Sequence, residues 1–151
     1  PAASLARMGA LVGGGSAAQI DGVGHFFEAL GLAFQIVDDI LNLRGFRGEL
    51  KSRGEDIAHG KVTLPVAKAL SRLSLERRRA LWSLLQRKTT DQGQIDAAID
   101  ELEACGALAA CEDDARRLVE DAWSRLEPLV EDSLPKLMLR SFGWYVLERH
   151  Y

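Results

Sequence analysis

Cysteine is scarce in this chain: among 151 residues there are two, Cys105 and Cys111, six apart in a helix-forming stretch and so on different helical faces. No disulfide is expected between them, and a reducing, cytoplasmic setting is. Long apolar runs are missing too. The most apolar stretch, Ala29 to Val37, runs straight into Asp38 and Asp39, well short of the roughly 20 residues that cross a bilayer. The chain is therefore not expected to be transmembrane, and its start shows no signal-peptide pattern. Neither sign of charge dominates: 19 Lys and Arg stand against 22 Asp and Glu, for a net charge of -3. That balance gives no reason to expect nucleic acid as a partner. Strand-like alternation of β-branched residues, internal repeats, a glycine-rich nucleotide loop and a nucleophile motif are all absent. His25, His59 and His150 have no metal-like spacing.

Apolar residues recur instead at three- and four-residue spacing almost throughout, interrupted only by Pro1, Pro65, Pro128 and Pro135. The pattern predicts an all-α chain, an antiparallel helical bundle in one domain over 1–151. A first helix runs from about Ala2 to Leu11 and stops at Gly13-Gly14-Gly15, after which Ser16 can cap a long helix to about Leu43. Ala29 to Val37 offers only Gln35 as a polar group, so the second half of that helix is expected to be buried nearly all round. Arg44 to Gly60 is charged and broken by Gly45, Gly48, Gly54 and Gly60. It reads as a loop with a short helical turn, with little apolar area to hold it down. Further helices are expected over about Leu64 to Leu73, Leu75 to Arg87, Gln92 to Ala104, Leu108 to Leu126 and Leu134 to His150. In the last of these, Leu137, Phe142, Tyr145 and Val146 are the expected core. The aromatic group Phe142, Trp144, Tyr145 and Tyr151 is expected in core or subunit contact.

The chemistry concentrates at Asp38 and Asp39. Two adjacent carboxylates on an otherwise apolar helix repel each other and are costly to desolvate, so they call for a compensating cation or arginine. Gln35, Asp38 and Asn42 share one helical face, with Asp39 beside them. Oxygen-only donors suit magnesium, which keeps waters and bridges one or two carboxylates to phosphate oxygens. Taken alone, such a pair is more simply read as a solvated or salt-bridged helix end. The following loop changes that reading, because Lys51, Arg53 and Lys61 can contact phosphate. Carboxylates for a metal and cations for a phosphate are the complementary parts of a diphosphate site.

The run LGLAFQIVDDILNL, Leu30 to Leu43, resembles the second aspartate-rich motif of the trans-isoprenyl (polyprenyl and geranylgeranyl) diphosphate synthases. KSRGEDIAHGKVTLP, Lys51 to Pro65, resembles the segment that follows it there, and LARMGALVGG, Leu5 to Gly14, the helix that precedes it. The resemblance implies the second half of the isoprenoid synthase fold. It also implies a magnesium-dependent (Mg2+) prenyltransferase of isoprenoid biosynthesis, condensing isopentenyl diphosphate with an allylic diphosphate. Asp38, Asp39 and Asn42 would hold metal, Gln35 would face the active cavity, Phe34 would shape its apolar wall, and Lys51 and Lys61 would contact diphosphate. A homodimer, or association with an N-terminal half, is implied as well.

The departures are specific. Asn42 stands where many members carry a third aspartate, a variant resembling the geranylgeranyl-type enzymes, and no first aspartate-rich motif occurs in the 151 residues. Asp113 and Asp114, followed by Arg116 and Arg117, look like acids early in a helix. The chain is thus expected to be the C-terminal portion of a polyprenyl synthetase domain, inactive by itself, with Pro1 marking a cut. A non-catalytic helical subunit that regulates a complete synthase is the alternative, which the joint presence of Asp38, Asp39, Lys51 and Lys61 argues against.

Overall fold

The computed structural model describes residues 1–45 and 53–149, and every element among them is helical. They are α1 (Ala2–Val12), α2 (Ala17–Arg44), α3 (Glu55–Ala58), α4 (Leu64–Arg72), α5 (Leu75–Arg87), α6 (Gln92–Ala104), α7 (Ala107–Leu126) and α8 (Leu134–Leu147), with a 3-10 turn over Glu127–Leu129. The chain's contacts divide it into two compact units, and the division falls inside α2 after Gln35 and inside α7 before Asp114.

Local sequence explains the helix starts. Ser16 and Gln19 form a reciprocal capping box: the Ser16 N–H donates to Gln19 Oε1 at 2.9 Å and the Gln19 N–H donates to Ser16 Oγ at 3.3 Å. Ser74, Asp91 and Ser133 accept first-turn N–H groups at the starts of α5, α6 and α8. Pro65 sits within the first two positions of α4, where its missing N–H costs nothing.

The first unit closes around Phe26 of α2, which is fully buried and meets Trp123 of α7 edge to face at 5.5 Å. Ala115, Val119 and Leu126 continue the α7 stripe. The α8 helix packs here through Gly143 and Val146, not through its large residues. A Cβ on Gly143 would lie 3.2 Å from Val119 Cγ1 and 3.5 Å from Phe26 Cζ, so the missing side chain is what admits α8. The expected α8 core is corrected accordingly: Val146 is buried, but Leu137, Phe142 and Tyr145 are 59%, 46% and 55% exposed, and Trp144 is exposed with them. Burial all round the second half of α2 is corrected as well, since Leu32 and Phe34 are exposed while Leu30, Ala33 and Val37 are buried. Over positions 29–37 the helix buries one stripe, whereas Ile40, Leu41, Asn42 and Leu43 in its last turn are all buried.

The second unit is built on Ile40 and Leu43 at the end of α2, with Ile57, Val66, Leu85, Ile99 and Leu108 from the helices that follow. Arg44 pairs with Glu112 and, at 3.3 Å, with Glu103. Both cysteines are free thiols here, Cys111 buried and Cys105 at the end of α6.

Candidate functional site

The last turns of α2 carry Asp38, Asp39 and Asn42 into the second unit, and α3 and the start of α4 fold back against them. Asp39 Oδ2 accepts the Leu64 N–H at 3.3 Å, which ties it to the first residue of α4. Its carboxyl is nevertheless held above the ordinary carboxylate pKa: partial burial is the main cause, and the charges of Asp56 and Asp38 add to it, while the Leu64 N–H and Lys61 oppose. Lys61 is exposed and its Nζ lies 2.5 Å from Asp56 Oδ1, a contact that raises the lysine pKa. The result is a cluster of three carboxylates with one lysine.

Asn42 is 8% exposed. Its carbonyl accepts the Gly54 N–H at 2.8 Å and its Oδ1 accepts the Asp56 N–H at 3.1 Å. The oxygen expected to face a metal is therefore already engaged by backbone. Arg53, expected at a phosphate, donates from Nε to the Leu43 carbonyl at 3.0 Å and from Nη1 to Asp96 at 3.2 Å. Ile57, fully buried, anchors this stretch in the core, so the expectation of little apolar anchoring does not hold for it. Lys51 lies outside the described residues, as do positions 46–50 and Ser52 of the same loop.

Phe34 and Gln35 belong to the first unit. Gln35 is exposed, and Phe34, 39% exposed, stacks under the Arg149 guanidinium at 3.7 Å from the ring centre. Asp114 pairs with Arg117 at 2.5 Å. Sequence reasoning did not single out two participants. Asp56 carried a signal in its spacing from Lys61. Arg149 on Phe34, 115 residues apart, carried none.

Among the described residues no three His, Cys, Asp or Glu side chains converge as a metal cage. Two adjacent carboxylates suit a magnesium ion, which takes one or two of them and completes its coordination with phosphate oxygens and water.

The family model described as polyprenyl synthetase matches residues 2–102. The chain is similar to a short chain isoprenyl diphosphate synthase of Methanothermobacter thermautotrophicus, 38% identical over 150 residues, which are 99% of this chain and 45% of that protein. Among solved structures it is similar to a decaprenyl diphosphate synthase from Rhodobacter capsulatus, with a TM-score of 0.86 and 28% identity, covering 99% of this chain and 46% of that one. It is also similar to geranylgeranyl pyrophosphate synthase from Corynebacterium glutamicum complexed with calcium and isoprenyl diphosphate, with a TM-score of 0.82 and 30% identity, covering 97% and 45%. The all-helical fold is theirs, and the chain spans less than half the length of each.

Proposed function

Since the chain belongs to the polyprenyl synthetase family of trans-isoprenyl diphosphate synthases, we propose that it supplies the second acidic motif of a magnesium-dependent prenyltransferase. The reaction is the condensation of isopentenyl diphosphate with an allylic diphosphate. The observation that carries this reading is the end of α2, where partial burial and the charges of Asp38 and Asp56 disfavour ionisation of Asp39, with Lys61 alongside. Such a cluster is unfavourable without a cation and suited to one.

Asp38 and Asp39 would hold the metal. Bound there, magnesium would supply positive charge to a departing diphosphate. The Leu64 N–H keeps Asp39 oriented without neutralising it, and Asp56 keeps Lys61 close by. Lys61, and by its place in the motif Lys51, contributes point charge to diphosphate oxygens. Gln35 and Phe34 are assigned to the substrate, Phe34 to its hydrocarbon. The calcium and isoprenyl diphosphate of the Corynebacterium relative support a divalent cation and this ligand class.

Titration of the chain with inorganic diphosphate, with and without magnesium, tests the reading. Binding should require magnesium and weaken about tenfold or more in Asp38→Ala and Asp39→Ala, as loss of a charged ligand implies. Binding indifferent to magnesium and to both substitutions would refute it.

A further inference from the structure

α3 has four residues and its N-cap is Gly54, which has no side chain to accept the first-turn N–H groups. Gly54 is fixed there by a left-handed φ of 77°, and by Ile95 and Ile99, whose side chains fill the space a Cβ would need. The missing cap comes from 14 residues upstream: Asn42 Oδ1 accepts the Asp56 N–H at 3.1 Å while the Asn42 carbonyl accepts the Gly54 N–H at 2.8 Å. Asp56 then holds Lys61 twice. Its carbonyl accepts the Lys61 N–H at 2.9 Å and its carboxylate meets Lys61 Nζ at 2.5 Å.

From this chain of contacts we infer that Asn42 is a positioning residue, which caps α3 and thereby places the Asp56–Lys61 pair beside Asp39, and that it is not a metal ligand. The inference rests on the reading of Asp39 and Lys61 as metal and diphosphate residues. Its chemistry explains the amide. At a buried position near Asp38, Asp39 and Asp56, a neutral oxygen accepts an N–H without adding a fourth negative charge to the cluster.

Amide hydrogen exchange at Asp56, followed by NMR in the metal-free 151-residue chain, tests the cap directly. Asn42→Ala should speed exchange at Asp56 by about tenfold or more, the loss of one buried hydrogen bond, and Asn42→Asp, which keeps an acceptor oxygen, should restore most of the protection. Unchanged exchange in Asn42→Ala would overturn the inference. Should that variant fail to fold, the unsubstituted chain decides: protection at Asp56 supports the cap, and an unprotected amide overturns it. A second arm titrates Mn2+ as a paramagnetic probe. Asn42→Ala should bind it within about threefold of the unsubstituted chain while Asp38→Ala loses far more, since a charged ligand outweighs a neutral support. Equal losses would make Asn42 a ligand and overturn the inference. Mn2+ binding unaffected by Asp38→Ala would sink the metal reading while leaving the exchange result intact.

Discussion

Asp39 is held where ionisation is unfavourable, and that has a direct consequence for stability. A carboxyl whose pKa is higher in the folded than in the unfolded chain binds its proton more tightly when folded, so ionising it lowers stability. Below the ordinary value of 3.8 both states are protonated and nothing is lost; the loss grows as pH rises from there and is complete once pH has passed the raised native pKa. Asp39→Asn keeps an oxygen for the Leu64 N–H and removes the charge. In the metal-free chain it should therefore melt higher than the unsubstituted protein at pH 7, with the gain shrinking to nothing as pH falls below the ordinary carboxylate value. A variant that melts lower at pH 7, or a gain that persists in acid, would contradict the assignment. Magnesium should narrow the same difference, because it stabilises the chain that keeps both carboxylates more than the one that keeps Asp38 alone. Asp38, Asp39 and Lys61 were legible in the sequence because adjacency and motif spacing carry them. Asp56 was legible only through its spacing from Lys61; its seat on Asn42 and its place beside Asp39 depend on how α3 folds back onto α2, and no local pattern encodes that return.

At the scale of elements, helix identity was legible nearly throughout, because the 3.6-residue period, caps and glycine stops agree with one another. Which face each helix buries was less so. The α8 sequence holds two stripes, a bulky one with Leu137, Phe142 and Tyr145 and a smaller one with Gly143 and Val146. Size favours the first as core, yet close approach to Phe26 and Val119 selects the second. Urea unfolding separates these assignments: Phe26→Ala should cost about 3–5 kcal/mol as a cavity in a closed core, whereas Phe142→Ala should cost under about 1 kcal/mol as a change at an exposed position. Comparable losses would restore the aromatic face to the core. The turn before α3 offers a backbone test of the same kind. Gly54→Ala puts a Cβ at positive φ and against Ile95 Cγ2, and should destabilise the second unit by about 1–3 kcal/mol. A neutral effect would mean that α3 is not seated on α6 as described.

For the whole molecule the decisive quantity is how much of an active site 151 residues can assemble. The relatives it resembles are more than twice as long, the chain covering 45% of the Methanothermobacter synthase. Within it, one pair of adjacent carboxylates fits a metal and diphosphate, no first aspartate-rich motif occurs in the sequence, and no third His, Cys, Asp or Glu joins a metal cage among the described residues. Holding a leaving diphosphate in reactive geometry needs charge on more than one side, because loosely held reactants forfeit most of the roughly 7–11 kcal/mol that orientation supplies. On the proposed reading, then, the purified chain binds inorganic diphosphate with magnesium but forms no prenyl product from isopentenyl and allylic diphosphates above a protein-free control. Binding without turnover is the informative combination, since it separates a site that is half assembled from a chain that has not folded. The check is radiolabelled isopentenyl diphosphate extracted after prolonged incubation, run beside the diphosphate titration and a thermal melt on the same preparation. Sustained magnesium-dependent product formation would show that Asp38, Asp39 and Lys61 suffice, and that the first aspartate-rich motif is dispensable.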